Sequence, residues 1–452
     1  MMKVSVSRFA NNPLLTPGDL APSRPDFEVT CVLNPGAFRF GGRIGLLLRV
    51  AERPVPEPGF LATPILTENG AVSVIRVRED DPGISSSSSR SLVWNGRFLL
   101  TTMSHFLIAW SDDGVTFQKY EHNPVVCAPE GVDPANFRDP KLWREADGAF
   151  YFVCGASLSG DGAALLFASQ DLHHWQYRGV LARSEGRFGT MWECPDLIPL
   201  GGRHMLCVSP MHCPAYRNVC LIGTFSREEG KLLNAQPVCP DEGPDYYAAQ
   251  SFTDEAGRRV QLAWANGWDW MPAFRRWGVA EQGFWRGWFT LPRVVTAGAD
   301  GLPRFSPHPQ LEALREQAFR CEQAALTAPW TLPDTADTAW EILIELPAQQ
   351  AGTLRLQVGD CFAMELAPSS RTLRAYAKDT AEQTMHDCGA LQLPPDAPMQ
   401  VRIFLDRCSA EIFADGQCLS ANFFDISSQR PVSILPHDGA PQLRTLQAWQ
   451  LR

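Results

Sequence analysis

Three short stretches carry side chains that could cleave a bond by acid catalysis. They are "VLNPGAFRF" with Asn34, "FRDPKLW" with Asp139 and "MWECPDL" with Glu193. Two carboxylates facing each other across a pocket are the equipment of glycoside hydrolysis: one gives a proton to the leaving oxygen and the other meets the sugar. Met191, Trp192, Cys194 and Pro195 make an apolar setting for Glu193. Such a setting favours the neutral acid that a proton donor requires. Arg138 and Lys141 flank Asp139. Cations favour a carboxylate there, suited to holding hydroxyls or stabilising positive charge at the anomeric carbon. Taken singly, Asp-Pro is more often a turn pair than a site, and a Glu before Cys-Pro is an ordinary strand end. A shared place in an internal repeat lifts the two above those readings.

The repeat also supplies the elements that must position them. Five segments pair a glycine turn with a run of strand formers: "FGGRIGLLLRV", "WNGRFLLTTMS", "EADGAFYFVCG", "LGGRHMLCVSP" and "EAGRRVQLAWA". Their glycines, Gly42, Gly96, Gly148, Gly202 and Gly257, follow at intervals of 54, 52, 54 and 55 residues. Strand–turn–aromatic patterns such as "FLIAWSDDGVTF" and "LLFASQDLHHW" recur within the units, with no long helical period. Antiparallel units of that length are propeller blades, so residues 1–296 are expected to form a five-bladed β-propeller. Counting back eight or nine residues from each glycine gives Asn34, Ser87 or Ser88, Asp139, Glu193, and Ala248 or Ala249. In a propeller these positions ring one mouth of the central channel. The serine run from Ser85 to Ser89 is either a plain loop or a set of hydroxyls at that mouth.

Farther along, "SPHPQLEALREQAF" predicts a short helix in a linker, 297–325, with Leu311 and Leu314 on one side. Residues 326–452 alternate as strands. "WEILIEL" places Trp340, Ile342, Ile344 and Leu346 on one face, and "VRIFLDRCSAEIFADGQ" reads as two strands around an Asp-Arg turn. This half is expected to be a β-sandwich, making the whole chain all-β. Trp264, Trp268, Trp270, Trp277, Trp285 and Trp288 crowd one segment; most are expected to pack between blades and one or two to line the pocket.

The chain's 452 residues allow one to three domains. A net charge of −10 argues against nucleic acid or an acidic membrane as partner. No apolar run is long enough to span a bilayer, and the start lacks the apolar core of a signal peptide. The thirteen cysteines are scattered with no C-x-x-C pair. That favours reduced thiols in a cytoplasmic protein over disulfides or a metal site. No cofactor is expected, and the partner is a small carbohydrate.

"FRDPKLW", "MWECPDL", "DEGPDYYAAQSF" and "FWRGWFTLPRVV" resemble the motifs of glycoside hydrolase family 32, the β-fructosidases, and "VRIFLDRCSAEIFADGQ" is similar to a strand pair of its C-terminal sandwich. The resemblance runs from about residue 85 to the end, with five motifs in order. It implies β-fructofuranoside substrates, Glu193 as acid/base, Asp139 as transition-state stabiliser and Arg138 as a substrate contact. Asp245 and Tyr246, in the fifth-blade motif, are expected to line the pocket, and Trp192 beside Glu193 is expected to contact the substrate. The first blade departs from the pattern. Asn34 stands before Pro35 where the family has an aspartate nucleophile, and Arg49 stands where a glutamine is usual. The opening of the chain, with "NPGAFRF" and "LLLRV", looks more like glycoside hydrolase family 130, whose phosphorolytic members use phosphate to attack the sugar.

A neutral amide cannot be the nucleophile of a retaining mechanism. Three readings therefore stay open. The first is a β-fructosidase using water or another carboxylate, with Asp26, Glu28, Asp80 and Asp81 as candidates. The second is a phosphorylase or an enzyme for a charged sugar, helped by some of Arg39, Arg43, Arg49 and Arg53. The third is a binding protein that has lost the chemistry. Oligomeric state is not legible.

Overall fold

The computed structural model describes residues 10–67, 72–88, 91–265, 287–333, 339–348, 350–379, 383–395, 397–423 and 431–452. Strands β1 (Phe27–Phe40) and β2 (Arg43–Pro54) form a hairpin across the Gly41-Gly42 turn. The chain then leaves this sheet. It makes a two-stranded pair, β3 (Phe60–Leu66) and β4 (Val72–Arg78), and a three-stranded sheet of β5 (Ile84–Ser87), β6 (Ser91–Trp94) and β7 (Arg97–Leu100). It returns as β8 (Met103–Ser111), which pairs with β2, and β9 (Gln118–Lys119) completes the order β1-β2-β8-β9.

This is where the structure departs from the evenly spaced repeat. Gly96 closes a tight β6–β7 hairpin with Asn95, both at positive φ (73° and 49°). β7 after it stays in the three-stranded sheet, and β8 then joins the first sheet rather than founding a second four-stranded one. Burial supplies the reason: β8 is interior along almost all its length, and Leu107 and Ala109 pack with Leu48 and Val50 of β2. Among the described residues, Gly96 therefore marks no blade of its own.

The later units follow the expected plan. β10 (Phe137–Arg144), β11 (Phe150–Leu158), β12 (Asp161–Ser169) and β13 (Gln176–Arg183) are neighbours in chain order. So are β14 (Met191–Leu200), β15 (Arg203–Met211), β16 (Val219–Ser226) and β17 (Lys231–Val238). β18 (Tyr247–Thr253) and β19 (Arg259–Ala265) continue the series. β20 (Trp288–Phe289) pairs with β19, and β21 (Arg293–Ala297) and β22 (Pro303–Pro307) complete that sheet. The fold is a β-propeller followed by a β-sandwich.

A six-residue 3₁₀-helix, Pro309–Leu314, stands at the expected linking helix, with Leu311 buried. Two six-stranded antiparallel sheets follow. Trp340, Ile342, Ile344 and Leu346 all point into one apolar core, as the alternation predicts, and Leu356, Met364, Ile403 and Ile412 join them there. Two compact units divide the chain. The first comprises 1–198, 204–216 and 221–236; the second comprises 199–203, 217–220 and 237–452.

Candidate active site

Four strands share one local device. Asn34, Asp139, Cys194 and Ala248 have φ of 34°, 61°, 47° and 54°, a region that non-glycine residues seldom enter. At three of them the strand pairing slips, between Leu33 and Gly36, between Arg138 and Lys141, and between Tyr247 and Gln250. A bulge of this kind re-aims the side chain beside it. The sequence count left one residue of play, and the positive-φ positions remove it. By that measure Cys194, not Glu193, is the counterpart of Asn34 and Asp139. Glu193 precedes the positive-φ residue, as Arg138 does.

Close backbone approach brings β1, β10 and β14 together. A Cβ on Gly36 would lie 2.6 Å from the Pro140 carbonyl oxygen, and one on Gly155 would lie 2.0 Å from that of Trp192. Only glycine lets β1 come so near β10, and β11 so near β14.

Asp139 sits at the centre with its side chain 4% exposed. Its Oδ1 accepts from Asn34 Nδ2 at 2.8 Å and its Oδ2 from the Cys194 backbone N–H at 3.1 Å. Arg49, opposite Leu33 on β2, brings Nη1 to 3.7 Å from Asp139 Oδ1, while its Nε donates to Ser104 Oγ at 3.3 Å. Burial holds the Arg49 pKa below its ordinary value, and the Asp139 carboxylate partly offsets this. Arg138 Nε lies 3.1 Å from Glu193 Oε1, Nη1 donates to the Ala135 carbonyl at 3.2 Å, and Nη2 meets Met211 Sδ at 3.2 Å. Burial, reinforced by Asp139 and Glu193, pushes the Cys194 thiol well up, so it stays protonated. The group thus combines two carboxylates, two guanidiniums and one neutral amide. It can donate a proton, face a developing positive charge and bind hydroxyls.

Asn34, Arg49, Arg138, Asp139 and Glu193 are brought together, but not with the surroundings their neighbours in sequence predicted. Glu193 has the Arg138 guanidinium as a partner, a charge that its apolar neighbours in sequence did not predict. Lys141 turns to Asp196 at 3.8 Å, so the cation beside Asp139 is Arg49. Bulging explains both changes, because it places residues adjacent in sequence on different partners.

The remaining expected residues have partners of their own. Trp192 is fully buried and donates its indole N–H to the Phe188 carbonyl at 2.7 Å, so it is core and not a pocket wall. Ser87 ends β5 and Ser88 follows it, bonded to Ser91, and neither is at the register slip of that strand, which falls between Ile84 and Ser86. Asp245 and Tyr246 belong to the second unit. Asp245 is buried and accepts from the Asn422 backbone N–H at 2.8 Å. Tyr246 is 1% exposed and gives its hydroxyl to Gln261 at 2.7 Å. Trp264 packs against Phe289. Trp268, Trp270, Trp277 and Trp285, like Ser89, lie outside the described residues.

The proposed substitute nucleophiles have other partners. Asp26 pairs with Arg24, Glu28 with Arg53 and Asp80 with Arg78, while Asp81 accepts from the Gly83 N–H and the Trp94 indole. Arg43 likewise pairs with Asp112. Sequence reasoning missed Met211 and the Cys194 N–H. Neither carries a signal in its residue type, since both act through position alone. No cluster of metal-ligating side chains occurs among the described residues.

Residues 92–303 match the glycosyl hydrolases family 32 N-terminal domain. That match begins beyond β1 and β2, the strands that carry Asn34 and Arg49. The chain is 30% identical over 357 residues to a sucrose-6-phosphate hydrolase of Escherichia coli, covering 76% of this chain and 72% of the relative. It is 32% identical over 395 residues to a raffinose invertase of Escherichia coli, covering 82% and 78%. A Bombyx mori family 32 beta-fructofuranosidase has a similar structure, with TM-score 0.65 and 21% identity over 95% of this chain and 94% of that one. A sucrose-6-phosphate hydrolase from Lactobacillus gasseri has TM-score 0.66 and 19% identity over 93% and 91%. At these identities the two structures speak for the fold alone.

Proposed function

The chain belongs to glycoside hydrolase family 32, and from that membership we propose that it cleaves β-fructofuranosides with Glu193 as proton donor and Asp139 as the carboxylate that meets the sugar, the attack coming from water. The observation that carries this reading is the 2.8 Å bond from Asn34 Nδ2 to Asp139 Oδ1. An amide committed to donating cannot form a glycosyl ester, so the double displacement of a retaining enzyme lacks its first partner. Glu28, the nearest candidate on β1, lies six residues from Asn34, about 20 Å along an extended strand.

The chemistry then runs as a single displacement. Arg138 holds Glu193 through Oε1, and the proton is carried on the other oxygen to the leaving group. As the glycosidic bond lengthens, positive charge at the anomeric carbon is met by Asp139. With its nitrogen turned to Asp139, Asn34 offers its carbonyl oxygen as an acceptor that orients the incoming water, and Asp139, the remaining carboxylate, takes the proton that the water sheds as its oxygen bonds to the anomeric carbon. Arg49 favours a second reading, because a partly buried guanidinium beside Asp139 would also suit an anionic attacker such as phosphate. A reducing, cytoplasmic setting belongs to the same proposal, since all thirteen cysteines are free thiols.

The test incubates purified protein with sucrose or raffinose, with and without inorganic phosphate, and follows the first-formed anomer by NMR. Hydrolysis without phosphate, an inverted product and a loss of about a hundredfold or more in Glu193→Gln are expected. A retained anomer or an absolute need for phosphate would overturn attack by water. Sugar binding with no turnover would favour a binding protein.

A further inference from the structure

A proton donor must touch the glycosidic oxygen, so the leaving group has to lie beside Glu193 on the side not taken by Asp139. Asp139 lies against Cys194, the residue after Glu193 on β14. Thr190 is exposed and stands three residues before Glu193, in the opposite direction along the chain. There the turn before β14 and the end of β15 are locked together. The Thr190 N–H donates to the Met211 carbonyl at 3.1 Å. Gly189, at φ +70°, comes so close that a Cβ would lie 2.2 Å from that same oxygen. Met211 in turn receives Arg138 Nη2 on its sulfur, which ties this rim to the partner of Glu193.

Two kinds of sugar-binding chemistry stand on this rim. His212, an exposed residue held at φ 57°, pairs its Nδ1 with Thr190 Oγ1 at 2.8 Å, which leaves Nε2 as the ring atom for a ligand. Ser157 Oγ donates to the Thr190 carbonyl at 2.7 Å and fixes that turn from the other side. Tyr216 is 38% exposed, and its ring meets buried Phe188 edge-on at 5.4 Å, which steadies an aromatic face in solvent. A backbone strained at a non-glycine residue costs stability and persists where the surroundings over-determine it. Here those surroundings are the lock between Gly189, Thr190 and Met211.

We propose that Thr190, His212 and Tyr216 form the subsite for the leaving group, taking a hexosyl ring that stacks on Tyr216 and hydrogen-bonds to His212 and Thr190. A sugar ring has an apolar face for the aromatic and a rim of hydroxyls for the polar pair. The inference rests on Glu193 being the proton donor.

Two substrates separate the inference from that premise. Sucrose carries a sugar on the leaving side, whereas methyl β-D-fructofuranoside has the same scissile bond and no sugar there. His212→Ala and Tyr216→Ala are each expected to lower kcat/KM for sucrose about tenfold, mainly through KM, and to leave the methyl glycoside within about twofold. Both substitutions are at exposed positions, and an unchanged Tm checks that the fold is kept. Equal losses on both substrates, or no loss on sucrose, would overturn the subsite while Glu193→Gln remains inactive. Wild-type rates in Glu193→Gln on both substrates would instead overturn the proton donor and the subsite with it. A wild-type protein that cleaves neither substrate would do the same.

Discussion

Asn34 and Asp139 meet through one hydrogen bond of 2.8 Å, and that contact dictates what a carboxylate at position 34 would do. Asn34→Asp removes the donor and sets two carboxylates against each other at a distance where both cannot be ionised. The pair would share a proton and titrate as a unit. The Arg49 guanidinium, 3.7 Å away, softens the repulsion without replacing the lost donor. We expect the acid limb of the kcat/KM profile to move to higher pH by about one unit or more in Asn34→Asp. An unshifted limb would show that the new carboxylate turns away from Asp139. At this scale much was legible in the sequence. Asn34, Asp139 and Glu193 were readable from residue type and repeat position, Arg138 from its place beside Asp139, and Arg49 from the family resemblance. Their pairing was not, because a count of eight or nine cannot say which residue a bulge re-aims.

The strands do the placing. β1 reaches Asp139 because Gly36 lets it lie against the Pro140 carbonyl. In Gly36→Ala the new Cβ would sit 2.6 Å from that oxygen, so β1 must move off β10. Overpacking of this sort costs about 1–3 kcal/mol, and here it also breaks the bond between Asn34 and Asp139. A lowered urea midpoint together with lost activity is expected. Gly41→Ala, in an open turn at φ +58° with nothing near its Cβ, serves as a control. It should cost about 1–2 kcal/mol of backbone strain and leave activity per folded molecule unchanged. The glycines of the repeat were visible in the sequence as turns. Gly36 and Gly155 carried no such signal, since their role depends on a neighbouring strand distant along the chain.

The second unit holds buried charge that belongs to stability. Arg293, fully buried, bonds Asp241 at 2.7 Å and Glu411 at 2.9 Å, and its guanidinium lies 4.3 Å from the Tyr246 ring centre. Asp245 lies in the same interior, where burial pushes its pKa from 3.8 to about 7. A carboxyl whose pKa is raised on folding binds more protons folded than unfolded between those two values. Stability is then lost as pH rises through that window, by a few kcal/mol at most. Asp245→Asn cannot ionise, so relative to wild type it should gain stability between pH 5 and pH 8. Chemical denaturation at the two pH values measures this, and a constant difference would show that Asp245 is ionised throughout. The same variant is expected to leave KM unchanged, as befits a residue that holds a strand end and not a sugar.

The sequence by itself determined the all-β class, the alternating core of the sandwich, the short helix before it and the residue types of the acid pair. These follow from period, glycine turns and charge, which are local properties. The tertiary structure decided the rest. It sent β8 back to β2 where the repeat promised another blade, aligned Asp139 with Cys194 in place of Glu193, and gave Glu193 an arginine for company. It also drew Trp192 and Tyr246 into the interior. Each of these depends on strands far apart in sequence competing for the same buried neighbour, and only packing in three dimensions settles that competition.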